Sequence, residues 1–200
     1  KIVTTGEGGM ALTNNKVLSN SMLKDRSHGI TSDQSEMQSR PKNEIWNYQQ
    51  IQLGFNYRMT DIQAALGVSQ MNRLNAFVTR RNEIATRYDR LLNDLPISLP
   101  WQHQDSYSSY HLYPIRLDLS VIEKTQQQVY EALHRMKIMV NLHYIPVYLQ
   151  PYYERMGFSS GYCPIAEQYY RETLSIPMYP SMTNKQQDYV INNLRRVIGS

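Results

Sequence analysis

The groups that could do chemistry in this 200-residue chain are few and unevenly placed. Lys1 stands directly before Ile2-Val3-Thr4-Thr5-Gly6-Glu7-Gly8-Gly9. An amine is the one side-chain group that forms a Schiff base with an aldehyde, so a lysine at a strand edge is a candidate for carbonyl-cofactor chemistry. The ordinary alternative is a solvated terminal lysine. His143 and Tyr144 end an apolar run just before Pro146, where side chains often project into a cleft; strand packing is the plain alternative. Asn56 and Arg58 lie in Leu53-Gly54-Phe55-Asn56-Tyr57-Arg58-Met59, directly ahead of a helix start. Asn56 reads as a turn residue or a helix N-terminal cap. Arg58 reads as a contact for an anion or as a partner of Asp61. His28, beside Gly29, reads as a helix cap.

Other constellations are weaker. His103, His111 and His134 lack metal-ligand spacing, and with the single Cys163 no metal site is expected. Gly6-Glu7-Gly8-Gly9 has neither dinucleotide-binding nor P-loop spacing, so a hairpin turn is the better reading. Tyr152-Tyr153 and Tyr169-Tyr170 read as faces of amphipathic helices rather than as stacking platforms for bases.

These residues need elements to position them. Ile2 to Thr13 reads as strand, tight turn, strand, a hairpin whose partners would lie upstream; the chain is therefore expected to be the C-terminal part of a larger protein. Asn14-Asn15 cap a helix over 16–26, with Gly29 as its left-handed C-terminal residue. A polar stretch over 30–52, containing Pro41, reads as a long loop, with Trp46 and Tyr48 as anchors. Thr60 and Gln63 have capping-box spacing and start a helical pattern that runs, with a bend, to about Asn93. Arg80, Arg81, Arg87 and Arg90 are expected mostly on its solvated side. Pro96 and Pro100 break the pattern and suggest a domain boundary within 75–100. Strands are expected over 110–117, at an edge because of Pro114, and over 138–144. Helices are expected over 125–136, 151–156, 165–174 and from the Thr183 cap to Val197, with an extended piece over 175–180. That order describes a small α/β domain.

Composition narrows the classes. Twenty-one basic and 17 acidic residues are interspersed, giving a modest net charge of +4, so nucleic acid is not the default partner. One cysteine cannot make an internal disulfide, which favours a reducing, cytoplasmic setting. No apolar run approaches the ~20 residues that span a bilayer. Sixteen tyrosines against three phenylalanines predict half-buried aromatic sites or a polar cleft with aromatic walls.

Three blocks together resemble one family: Lys1-Ile-Val-Thr-Thr-Gly-Glu-Gly-Gly, Gly54-Phe-Asn-Tyr-Arg-Met-Thr-Asp-Ile-Gln-Ala-Ala-Leu-Gly, and His143-Tyr-Ile-Pro-Val-Tyr followed by Ser175-Ile-Pro-Met-Tyr-Pro. They are similar to the DegT/DnrJ/EryC1/StrS sugar-nucleotide aminotransferases, of the aspartate-aminotransferase-like fold (type I of the pyridoxal-phosphate enzymes). Trp46-Asn47-Tyr48 and the His143 block resemble the subgroup that aminates C4 of a UDP-linked 4-keto-6-deoxy-N-acetylamino sugar in pseudaminic acid biosynthesis. Related keto sugars, of perosamine or aminoarabinose type, stay open, as does a non-catalytic truncated chain that only dimerises.

The resemblance implies a fold class: α/β, the C-terminal end of a large PLP-binding domain over 1–75, a bridging helix and linker over 76–100, and a small α/β domain over 101–200. It implies pyridoxal 5′-phosphate as cofactor, with Lys1 as its covalent attachment and proton carrier. Asn56 would reach the cofactor phosphate of the neighbouring subunit. His28, Arg58, His143 and Tyr144 would contact substrate. The implied partners are a nucleotide sugar, L-glutamate as amino donor and a second copy of the chain, with active sites at the homodimer interface. In that family the acid facing the pyridine nitrogen, a phosphate-binding Ser or Thr and the ring-stacking residues precede the lysine, so the 200 residues alone are expected to be inactive. Their uncovered sheet edges and apolar faces are expected to promote self-association.

Overall fold

The computed structural model describes residues 1–39 and 44–199; Pro41 lies outside the described residues. The chain divides into two compact units, Val3–Asn72 and Arg73–Ser200, with Lys1–Ile2 belonging to the second.

The Val3–Asn72 unit is built on two helices. Helix α1 (Lys16–Asp25) starts where the Asn15 side chain accepts from the Leu18 amide. Helix α2 (Asp61–Met71) starts at a complete capping box between Thr60 and Gln63. Strands β1 (Ile30–Thr31) and β2 (Gln49–Gln50) close the ends of the long polar loop as a two-residue antiparallel ladder. Two expectations fail in this unit. Residues 3–13 form no hairpin; the Gly6 amide donates to Thr4 Oγ1 and Thr5 Oγ1 donates to the Glu7 carbonyl, shaping a local turn instead. A strand is defined by its ladder, and a β-branched run without one stays irregular. Trp46 and Tyr48 are largely exposed and anchor nothing.

The Arg73–Ser200 unit begins with α3 (Leu74–Leu92), so the expected bend in the long helix is a break at Asn72-Arg73. A three-stranded antiparallel sheet follows in the order β3 (Ile97–Ser98), β4 (Tyr113–Leu117), β5 (Thr173–Ile176). Tyr113, Ile115 and Leu117 alternate into the core, while Arg116 on the other face pairs with Glu172. Helix α4 (Gln126–Arg135) and helix α7 (Asn184–Ile198) each start at a Thr–Gln capping box and pack on one another. Helices α5 (Pro151–Glu154) and α6 (Pro164–Glu172) precede β5, and β5 begins at the residue after α6 ends. Among the described residues, no helix is long and apolar enough to cross a membrane.

Three corrections belong to this unit. β4 is the central strand, not an edge; Pro114 is tolerated because β3 pairs only with Leu117 and Arg116, leaving that flank of Pro114 free of a β3 partner. The 138–144 segment is not a strand but a single bridge, Asn141 to Ser175. Arg81 is not solvated but buried, with Nη1 donating to the carbonyls of Tyr110 and His111 at 2.9 and 3.2 Å and of Met178 at 3.3 Å. Those carbonyls lie where chain segments leave regular structure, and a guanidinium fork can satisfy several at once.

Candidate active site

Two groups of candidate residues emerge, one in each unit. In the Val3–Asn72 unit the turn after α1 meets the segment before α2. The Phe55 amide donates to Asp25 O at 2.6 Å, the His28 amide to Phe55 O at 2.9 Å, and the Tyr57 amide to Arg26 O at 2.9 Å. Ser27 and Asn56 form the bridge at its centre. Two glycines permit this approach. A Cβ on Gly54 would stand 2.1 Å from the Gly29 amide nitrogen, and one on Gly29, at φ +67°, would stand 1.9 Å from Gln52 O. His28 also sits in the left-handed region, at φ 62°.

The consequence is that His28, Asn56 and Arg58 come together, although 28 and 56 are remote in sequence. Arg58 does not turn to Asp61; its Nε donates to the buried Ser27 Oγ at 2.9 Å. That bond fixes one side of the guanidinium and leaves its remaining donors available to an anion. Asn56 is exposed, and its sequence neighbours Phe55 and Tyr57 stack their rings on each other. Gly29 takes the left-handed conformation expected of it, while Ser27 and the close approach at Gly54 were missed from sequence; the only signal was their position beside His28 and Asn56.

In the second unit, His143 is fixed from β5: its Nδ1 lies 2.9 Å from Ser175 Oγ, and Asn141 and Ser175 exchange backbone bonds of 3.2 and 2.8 Å. The Tyr144 ring stands edge-on to His143 at 4.7 Å and is 70% exposed. The His143–Tyr144 peptide is cis. Lys1 is exposed and belongs to this unit. Its surroundings are cationic. The His111 imidazole is held below its ordinary range, first by burial, then by neighbouring cationic side chains, Arg81 and Lys1 among them. His111 and Arg81 were not singled out as site residues from sequence, since neither shows a motif spacing; only the fold gathers them near Lys1 and His143. Such a cluster favours anions and disfavours further positive charge. Among the described residues, no group of three or more His, Cys, Asp and Glu could hold a metal ion.

The family is shown by comparison with known proteins. The profile of the DegT/DnrJ/EryC1/StrS aminotransferase family matches residues 1–195, and the chain belongs to that family. SpsC, a spore coat polysaccharide biosynthesis protein of Bacillus subtilis, is 34% identical over 201 residues, covering 99% of this chain and 51% of its own. The UDP-4-amino-4,6-dideoxy-N-acetyl-beta-L-altrosamine transaminase of Campylobacter jejuni (NCTC 11168) is 31% identical over 199 residues, covering 99% and 50%. Among solved structures, Helicobacter pylori PseC, an aminotransferase of pseudoaminic acid biosynthesis, superposes with a TM-score of 0.81 at 25% identity, over 94% of this chain and 47% of that one. The chain thus spans about half the length of the curated relatives it matches. The likeness carries the fold class expected from the three blocks: the aspartate-aminotransferase-like α/β fold.

Proposed function

We propose that the protein is a pyridoxal-phosphate-dependent aminotransferase that moves an amino group, from L-glutamate, to C4 of a UDP-linked 4-keto-6-deoxy-N-acetylamino sugar. The observation that carries this reading is the family match over residues 1–195, which takes in Lys1, the Gly54 block and the His143 block. In this reading Val3–Asn72 is the end of the cofactor-binding domain, and Arg73–Ser200 supplies the connecting helix and the small domain. The working protein is a homodimer, in the cytoplasm.

The residues present suit the cofactor in part. Lys1 offers an exposed amine in a cationic setting, which suits an anionic aldehyde. Asn56 offers an exposed amide just ahead of a helix N-terminus, a combination that suits a phosphate. When bound, the cofactor supplies an electron sink that makes the donor Cα acidic. Lys1 then has two tasks. Its amine would hold the cofactor aldehyde and, when not so engaged, would carry a proton to and from the donor Cα. A neutral amine is needed for the second task. Arg58, held by Ser27, orients an anionic part of a substrate, and His28 stands beside it. His143 and Tyr144 offer an imidazole and an exposed phenol to the sugar nucleotide.

A second reading keeps the chemistry and changes the sugar: another nucleotide 4-keto sugar. The 34% identity to SpsC, against 31% to the altrosamine transaminase, favours keeping it. Half-reactions of the full-length protein separate the two. Amino transfer to the UDP-linked 4-keto-6-deoxy-N-acetylamino sugar, in preference to other nucleotide ketosugars, is the expected result. Preference for a different ketosugar would move the assignment to the second reading, and no transfer to any of them would overturn both.

A further inference from the structure

Glu167, on α6, is a carboxylate left only 6% exposed. Burying it is costly unless donors replace water. They do: Tyr148 Oη donates at 2.6 Å, the Gly161 amide at 2.7 Å and Ser160 Oγ at 2.8 Å, with the exposed Arg171 guanidinium 3.8 Å away. Tyr148 Oη in turn accepts from the Cys163 amide at 3.2 Å. The close donors all come from the segment between Tyr148 and the start of α6. One carboxylate therefore fastens that whole excursion to its helix.

A second fastening lies just upstream, where Asn141 bridges Ser175 and His143 meets Ser175 Oγ. The two anchor elements are continuous, since β5 starts at Thr173 directly after α6 ends at Glu172, and Arg116 of β4 grips Glu172 at 2.6 Å. Residues 144–147 thus form a short arch whose two feet stand on one rigid piece. The arch itself is bare: Tyr144, Ile145 and Val147 are 70%, 44% and 60% exposed. Among the described residues, the ring that Tyr144 meets is that of His143.

We propose that Glu167 is a positioning residue for nucleotide-sugar recognition: by holding Tyr148 it sets where the Tyr144 arch stands, without touching substrate. The inference rests on the reading of Tyr144 as a substrate contact.

The test uses the full-length protein with Glu167→Ala, Glu167→Gln and Tyr148→Phe. Loss of the Tyr148, Ser160 and Gly161 bonds is expected to raise KM for the nucleotide sugar about tenfold in Glu167→Ala, and less in Tyr148→Phe, which loses only one of the three and whose ring still packs on Tyr162. Glu167→Gln keeps one acceptor oxygen for Tyr148 and is expected to recover part of the loss. The glutamate half-reaction, which needs no nucleotide sugar, is expected to stay within about twofold, because uniform binding of the other substrate is untouched. Hydrogen exchange on the cofactor-free protein is the second readout: amides of 144–163 are expected to exchange faster in Glu167→Ala, with α7 unchanged. Faster exchange with an unchanged KM would overturn the proposal and leave Glu167 a purely structural clamp. Unchanged exchange would overturn the clamp itself. An unsubstituted protein that aminates no nucleotide ketosugar would overturn the functional reading, and the role of Tyr144 with it, whatever the exchange shows.

Discussion

The two units of this chain are held together by different forces. Arg73–Ser200 has a core in which Tyr88, Ile115, Leu133, Leu174 and Leu194 are fully buried. Among the described residues of Val3–Asn72, only Ser27, Gly29 and Thr31 are buried, and none is a large apolar side chain. Its apolar residues point outward: Leu12, Val17, Trp46, Leu53 and Ile62 are each more than 70% exposed. What orders this unit within the chain is a set of helix caps and the hydrogen-bonded meeting of 25–31 with 49–58. A net hydrogen bond contributes about 1 kcal/mol, while a buried large aliphatic side chain contributes roughly 1.5–3 kcal/mol, so the second unit carries most of the stability. The contrast has a functional counterpart. His28, Asn56 and Arg58 sit on the polar, weakly held unit, whereas His143 and Tyr144 are anchored to a sheet that belongs to a core.

The contrast can be broken or sharpened by experiment. Its largest consequence concerns truncation of apolar side chains. In the 200-residue chain, Leu174→Ala is expected to cost about 3 kcal/mol in denaturant unfolding. Ile62→Ala, at an 85% exposed position, is expected to stay within about 0.5 kcal/mol. Comparable losses at both positions would show that the Val3–Asn72 unit has a core of its own.

A smaller effect is expected at the glycine crossing. Gly54→Ala drives a Cβ into the Gly29 backbone, so the two segments must part, at a cost of about 1–3 kcal/mol in that unit. Hydrogen exchange at the His28 and Tyr57 amides is expected to accelerate, because their acceptors Phe55 O and Arg26 O move away. Exchange in β4 and β5 is expected not to change. Equal acceleration in both units would mean that they unfold as one.

The smallest effect is that of pH. Glu167 is held below the ordinary carboxylate value of 4.5 by the Tyr148 hydroxyl, then by the Gly161 amide and Ser160. Glu172 is held below it by Arg116, then by Gln168. A carboxyl lowered by folding binds fewer protons in the native state than in the unfolded one. The stabilisation is therefore complete above about pH 4.5 and is lost as the pH falls through the native pKa. Glu167→Gln with Glu172→Gln is expected to flatten the acid limb of a stability–pH curve. A limb that keeps its slope would place the acid sensitivity in other carboxyls, such as Glu36 beside Lys24 in the first unit.

What the sequence made legible was mostly local. The Thr60–Gln63 box and the Asn15 and Thr183 caps mark helix starts because a cap and the amide that donates to it lie three residues apart. The helices of the second unit follow the 3.6-residue period of their apolar positions. Pairing was less legible, because a strand depends on a partner far away in the chain. The two-residue β3 hides between Pro96 and Pro100, the Ile2–Thr13 run reads as a hairpin and makes none, and Pro114 is tolerated only because β3 is short. Of the candidate site, Lys1, Asn56 and the His143 block stand out by motif. The groups that hold or surround them do not. Ser27 under Arg58, Ser175 under His143, Arg81 near Lys1 and Glu167 beneath the arch are ordinary residues at unremarkable spacings, gathered only by tertiary contact.

The central claim is that Lys1 is the amine that carries the cofactor. Its most direct test is to load the full-length protein with pyridoxal 5′-phosphate, reduce with borohydride, digest, and map the fixed pyridoxyl group by mass spectrometry. The account predicts the group on the peptide containing Lys1-Ile2-Val3-Thr4-Thr5, and its loss in Lys1→Ala. A pyridoxyl group fixed on another lysine, or none fixed while the protein still transaminates, would contradict it.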